Sequence, residues 1–210
     1  MPQTTLPEFV RLTGVILMLD VVESVRLMES DEQGYIRRWQ RYVRDVREDV
    51  LPGFAGRIHK STGDGLLMEF RGPDEAVQAA FGLLHASDAI NRELPPEAHM
   101  RLRMAIHLAQ FVADEYDIYG CGINLAHRLL QLARPGEVWI SATMRHLLGD
   151  SPLALVVDCG MHQLRHVREP VHVYEIRSPD RGPRPHDAPL PACTPQVARA
   201  TSEQAACGAG

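Results

Sequence analysis

At 210 residues, 45% hydrophobic and 23% charged, the chain has the composition of one soluble globular domain with some surplus, long enough to bury a core without staples. A formal net charge of −5 and an isoelectric point near 6.0 argue against nucleic acid as the main partner, because phosphate-binding surfaces carry a basic excess. No apolar run reaches the roughly 18 residues of a membrane span, and no basic-then-apolar leader opens the chain, so neither a membrane nor a secretory route is expected and the location reads as cytoplasmic.

Residues 1–13 read as a leader, followed by a buried strand from Gly14 to Val22 with Asp20 near its end. From Asp31 to Val50, Tyr35, Ile36, Trp39, Tyr42, Val43 and Val46 recur at helical spacing, and Pro52-Gly53 closes the segment. The arginines of this helix, Arg37, Arg38, Arg41, Arg44 and Arg47, are interleaved with Asp45, Glu48 and Asp49, which favours a solvated face over a nucleic-acid surface.

Two short strands, Arg57 to Lys60 and Leu66 to Phe70, flank the turn-rich Ser61-Thr62-Gly63-Asp64-Gly65 and predict a hairpin. A long helix is expected from Pro73 to about Leu94, then a strand pair, Met100 to Leu108 and Gln110 to Ala113. Beyond these come a helix Gly122 to Ala133, a strand Glu137 to Ile140, a helix capped by Ser141 and ending at Leu148, and strands Leu155 to Cys159 and Val171 to Ile176. Residues 178–210 are rich in Pro, Ala, Ser and Gly and read as a disordered tail. Strand, helix, hairpin, helix, strand is the order of a ferredoxin-like split βαβ core of the α/β (α+β) class, whose sheet the later elements extend. The foldable domain is residues 14–177.

Cys121, Cys159, Cys193 and Cys207 form no CxxC pair, which fits a reducing compartment and no zinc site. His162 and His166 stand four apart in strand and loop and are read as surface residues.

A strand-end Asp20 and a hairpin-tip Asp64 on neighbouring strands converge into a seat for Mg²⁺, which prefers oxygen ligands and shares its shell with water and phosphates. Asn124, His127, Arg128 and Gln131 share one face of their helix, where Asn124 and Arg128 would project together towards a ligand. Each feature alone also has an ordinary reading as a cap, a tight turn or a wet helix face.

Together these residues resemble the class III adenylyl and guanylyl cyclases. Leu19-Asp20-Val21 is similar to their first metal motif, and Lys60-Ser61-Thr62-Gly63-Asp64-Gly65 to their hairpin with a base-reading lysine and a second metal aspartate. Tyr116-Asp117-Ile118-Tyr119-Gly120 and Ile123-Asn124-Leu125-Ala126-His127-Arg128 resemble the segment with the second base-reading residue and the transition-state pair. Arg165 to Tyr174, ending Glu169-Pro170-Val171-His172-Val173-Tyr174, is similar to the closing strand, so the likeness covers about Gly14 to Ile176.

The resemblance implies two divalent ions, Mg²⁺ or Mn²⁺, on Asp20 and Asp64 with the Val21 carbonyl as an extra ligand. It implies that Lys60 and Asp117 read the base, Asn124 orients the ribose and Arg128 stabilises the α-phosphate. It also implies a homodimer whose sites lie at the interface, the metal carboxylates of one protomer facing the base-reading and transition-state residues of the other, with a regulator unknown. Adenine presents an acceptor at N1 and a donor at N6, so a donating lysine and an accepting aspartate fit ATP and oppose GTP. Cytosine offers the same order, leaving a pyrimidine nucleotide open, as is a dimerising nucleotide-binding module with little turnover. Where the family has small residues, this chain has Glu23 in the turn after Asp20 and His127 beside Arg128, and Cys121-Gly122 replaces a more polar pair.

Overall fold

The computed structural model describes residues 10–114 and 117–179. Most of the expected leader and tail, Cys193, Cys207 and Tyr116 lie outside these residues.

Eight strands form one sheet in the order β2-β3-β1-β4-β6-β8-β7, with β5 paired to β4. The first four path strands, β1 (Arg11–Val21), β2 (Arg57–Ser61), β3 (Gly65–Phe70) and β4 (Leu102–Ala113), are linked through helices α1 (Ser24–Asp45) and α2 (Pro73–Asn91). That is the antiparallel split βαβ arrangement expected from the element order. β6 (Val138–Ser141) extends the sheet parallel to β4, and β8 (Val171–Arg177) and β7 (Leu155–His162) continue it antiparallel. The result is a mixed α/β fold with a central mixed sheet and flanking helices.

Alternation along the strands gives the sheet two apolar faces. Val15, Leu17, Leu19, Leu66, Met68, Met104 and Ile106 pack beneath α1, α2 and α4 (Ala142–Leu148). Ile16, Met18, Leu67, Ala105 and Phe111 pack beneath α3 (Cys121–Leu130). Ser141 caps α4 as expected, its hydroxyl accepting from the Met144 amide at 3.4 Å.

Two elements differ from the sequence reading in their bounds. The expected helix start, Asp31, is a break inside a longer helix: its backbone leaves the helical region (φ −159°, ψ 80°) while its carboxylate accepts from the Gly34 amide at 2.9 Å. The turn before it, Ser24 to Ser30, was missed because it presents little apolar side chain beyond Leu27 and Met28. The expected strand pair between Met100 and Ala113 is one strand, paired with β1 from Val21↔Leu102 to Arg11↔Val112, since Ala109 supplies no turn chemistry. His162 is also half-buried, its ring edge-on to Trp139 at 5.4 Å and its Nε2 3.0 Å from the Cys159 carbonyl. Arg41, on Asp45 and Glu93, and Arg44, on Asp45, follow the solvated-face reading, whereas Arg38 is largely buried and paired with Asp31.

Candidate active site

The site's first corner forms where β1 ends. Asp20 lies opposite Gly65 on β3 and Arg103 on β4, and Asp64 is the residue before Gly65, so the two acidic positions adjoin. Two glycines make this approach fit. Gly63 takes φ +89° in the hairpin turn, and a Cβ at Gly65 would lie 2.7 Å from the Leu19 carbonyl. The Val21 amide donates to the Asp64 carbonyl at 3.0 Å and ties the turn to the strand end.

Both carboxylates have internal partners. Arg103 grips Asp20 with both arms of its fork, Nε to Oδ1 at 2.7 Å and Nη2 to Oδ2 at 3.0 Å. The Ser24 hydroxyl donates to Asp64 Oδ2. Sequence reading missed both partners: Arg103 becomes visible only when β4 is placed beside β1, and Ser24 only when the turn after Asp20 is known.

That turn runs through Glu23, which adopts a left-handed backbone (φ 58°, ψ 33°), the conformation that explains a small residue there. The Glu23 side chain is exposed and paired with Arg26 at 3.0 Å. A cavity of about 490 Å³ opens beside the turn, with Arg26 and Arg101 among its lining residues.

Behind this corner stands Tyr35, buried in the α1 side of the core. Burial pushes its hydroxyl up to about 12, with further upward pressure from the nearby Asp64 and Asp20 charges.

The second pair, Lys60 and Asp117, is formed by a hairpin arm. β5 (Ile118–Tyr119) folds back on β4, and the arm reaches β2, with Phe111 edge-on to His59 at 6.0 Å and Lys60 Nζ donating to Asp117 Oδ2. The other Asp117 oxygen accepts from the Ile118 amide at 2.8 Å, and the Asp117 amide donates to Asp114 at 2.8 Å. The Lys60 hydrogen bond holds the Asp117 carboxyl below its ordinary value, and the same bond raises Lys60.

The third group is on α3, whose start is pressed onto β4. A Cβ at Gly122 would lie 2.7 Å from the Ala109 Cβ, and one at Gly120 would lie 2.7 Å from the Gln110 carbonyl. Gly122 is therefore a packing requirement, and Cys121 is exposed. Ile123, Ala126, Leu129 and Leu130 are buried, which leaves Asn124, His127 and Gln131 exposed and Arg128 half-exposed. Neither the Asn124 nor the Arg128 side chain bonds another described residue. The structure thus brings together Asp20 with Asp64, Lys60 with Asp117, and Asn124 with Arg128, while no hydrogen bond or ion pair among the described residues joins these three groups.

Several known proteins share this arrangement of elements. The chain is 34% identical over 179 residues to a putative adenylate cyclase 3 of Rhizobium meliloti, covering 83% of this chain and 30% of that protein. It superimposes on an adenylate/guanylate cyclase/hydrolase from Silicibacter pomeroyi with a TM-score of 0.72 and 25% identity, covering 80% of this chain and 98% of that one. The adenylyl cyclase CyaB from P. aeruginosa gives a TM-score of 0.71 at 19% identity, covering 82% and 97%. The chain spans about a third of the length of curated relatives such as the Rhizobium meliloti protein. No protein-family model matches it.

Proposed function

The chain carries a class III nucleotidyl cyclase-like catalytic domain, and we propose that it converts ATP into 3′,5′-cyclic AMP and pyrophosphate as a homodimer, in signal transduction. The observation that carries this reading is the junction of Asp20 and Asp64 at the β1 and β3 ends. Among the described residues no cluster of three acidic, His or Cys side chains occurs. Two carboxylates and the Val21 carbonyl fit Mg²⁺ or Mn²⁺ all the same, because such ions bound with nucleotides take their remaining ligands from water and phosphate. When bound, the ions offset triphosphate charge and make the 3′-hydroxyl a better nucleophile.

The side chains divide the remaining work. Lys60 donates to adenine N1 and Asp117 accepts from N6, exchanging their mutual ion pair for the base edge. Asn124 of one protomer orients the ribose so that the 3′-oxygen lies in line with the α-phosphorus. The bond from this oxygen to phosphorus forms, its proton passing to solvent water, as the bond to the bridging oxygen of pyrophosphate breaks, and Arg128 meets the charge that accumulates on the α-phosphate oxygens. Asp20 and Asp64 belong to the facing protomer.

A second reading has specific support. Arg103 and Ser24 already engage the two carboxylates, which favours a module that holds nucleotide and dimerises with little turnover. One experiment separates these readings: incubation with each of the four ribonucleoside triphosphates and Mn²⁺ or Mg²⁺, with products identified by mass spectrometry. Cyclic AMP supports the cyclase, a cyclic pyrimidine nucleotide changes its substrate, and binding without product supports the module.

A further inference from the structure

Tyr35 is 1% exposed, yet its hydroxyl has no hydrogen-bond partner among the described residues. A buried hydroxyl in that state is costly, and a phenylalanine would fill the same space without the cost. The nearby charges acting on the hydroxyl are Asp64, most strongly, then Asp20, then Arg38. Arg38 is engaged elsewhere, donating from Nη1 to Asp31 at 3.1 Å. The hydroxyl is therefore an unused donor in the same core cluster as Val21 and Leu66, which adjoin Asp64, and the bonds of the two carboxylates, to Ser24 and Arg103, must rearrange if they turn to a cation.

We infer that Tyr35 is a positioning residue for the acidic corner, its hydroxyl donating to Asp64, or to water on the cation beside it, once a divalent ion is bound. This rests on the reading of Asp20 and Asp64 as cation ligands. In this role the phenol is a hydrogen-bond donor and not itself a ligand. Its place is on the second, straight segment of α1, beyond the Asp31 break, with Trp39 and Tyr42 packed on the same side of the helix. Full burial of Tyr35 in the core holds the hydroxyl in place before the cation arrives. Hydrogen bonds of this kind hold ligating carboxylates in orientation, and their loss typically weakens metal affinity about 10- to 100-fold.

The test uses the full chain as wild type, Tyr35→Phe and Asp64→Ala, titrated with Mn²⁺ alone and followed by the electron paramagnetic resonance signal of the free ion. Thermal unfolding of each metal-free protein is measured in parallel. Tyr35→Phe is expected to bind Mn²⁺ about 10- to 100-fold more weakly while unfolding at the wild-type temperature or above, since it removes only an unpartnered oxygen. Wild-type affinity in Tyr35→Phe, with binding lost in Asp64→Ala, overturns the role of Tyr35 and leaves the acidic site standing. A lowered metal-free melting temperature in Tyr35→Phe also overturns it, because the hydroxyl then has a structural partner. Unchanged binding in Asp64→Ala overturns the cation site and the inference with it.

Discussion

The acidic corner and the α3 face are built to opposite rules. Asp20 and Asp64 stand at the junction of three strands, each already held by a side chain of the same chain, Arg103 and Ser24. Asn124 and Arg128 stand on a helix whose start is locked to β4 by glycine contacts, and their side chains make no hydrogen bond or ion pair with the described residues. The backbone is equally fixed in both places, and the difference lies in who supplies the partners. An α3 face without internal partners is available to a ligand or a second protomer, whereas the acidic corner must first release Arg103 and Ser24.

The largest effect should come from the completed half. Asp64→Ala or Asp20→Ala should reduce cyclisation by at least about a thousandfold, equivalent to about 4 kcal/mol of lost transition-state stabilisation. The two variants should differ in stability. Removing Asp20 strands the Arg103 guanidinium and should cost about 1 kcal/mol after allowance for solvent screening, whereas removing Asp64 leaves the buried Ser24 hydroxyl without its acceptor, a neutral group and so a smaller loss than a stranded charge. Near-normal turnover in either variant would sink the cation assignment, and equal melting temperatures would remove the Arg103 part of the comparison.

The open half gives the next largest effect and the stricter test of sharing. Arg128→Ala should cost about 2.7–4 kcal/mol in transition-state stabilisation, by analogy with the loss of an oxyanion donor, with little change in melting temperature because the side chain has no internal partner. Mixing Arg128→Ala with Asp64→Ala under subunit exchange makes about half the dimers mixed, each with one intact site, so activity should return to roughly a quarter of wild type. No recovery despite demonstrated exchange would place the complete site in one chain.

Lys60 and Asp117 are intermediate: paired to each other, but exposed enough to exchange that pairing for a ligand. Each charge-assisted bond is worth roughly 1.5–3 kcal/mol, so single changes should cost about 10- to 100-fold in ATP discrimination. Lys60→Glu with Asp117→Cys should move preference towards GTP. Unchanged selectivity for ATP in both single variants would take the pair out of base recognition.

This contrast also marks what a linear sequence discloses. The hairpin was legible because Gly63 and Gly65 are local signals, and α3 because its apolar residues repeat at helical spacing. The partners Arg103, Ser24 and Tyr35 were not, since each acts through a neighbour 83, 40 or about 29 residues away. A local signal also misled at Asp31. Its capping chemistry is real, but it caps the second segment of a broken helix whose first turn carries too few apolar side chains to register.

A smaller effect should come from acid. The strand that supplies Arg103 carries His107 four residues on, buried, with Nδ1 2.8 Å from the Ser141 hydroxyl. The same hydroxyl oxygen accepts from the Met144 amide. Burial lowers His107 from 6.5 to about 4. A depressed folded value means the unfolded chain binds the proton first, so stability is present above about 6.5 and falls as pH drops towards 4. Between pH 8 and pH 5 this one group should remove about 2 kcal/mol, or about 4–8 °C in melting temperature. His107→Asn, which cannot take up the proton, should flatten that part of the profile; an unchanged slope would show that other groups set it.

The smallest effect tests whether Glu23 disturbs the acidic corner. Its left-handed backbone costs roughly 1–2 kcal/mol for a residue with a Cβ, and Glu23→Gly would relieve it. Two losses oppose that gain: an exposed pair with Arg26 worth about 0.2–1 kcal/mol, and the greater freedom of glycine in the unfolded chain, about 0.5–1 kcal/mol. The terms nearly cancel, so the melting temperature should move by no more than about 3 °C in either direction. Because the carboxylate is exposed and turned to Arg26, its removal should improve the Michaelis constant for ATP only modestly, by less than about threefold, as expected for one screened surface charge. A tenfold fall in that constant, with kcat unchanged, would mean that Glu23 faces the triphosphate when nucleotide is bound, and that the turn after Asp20 rearranges on binding.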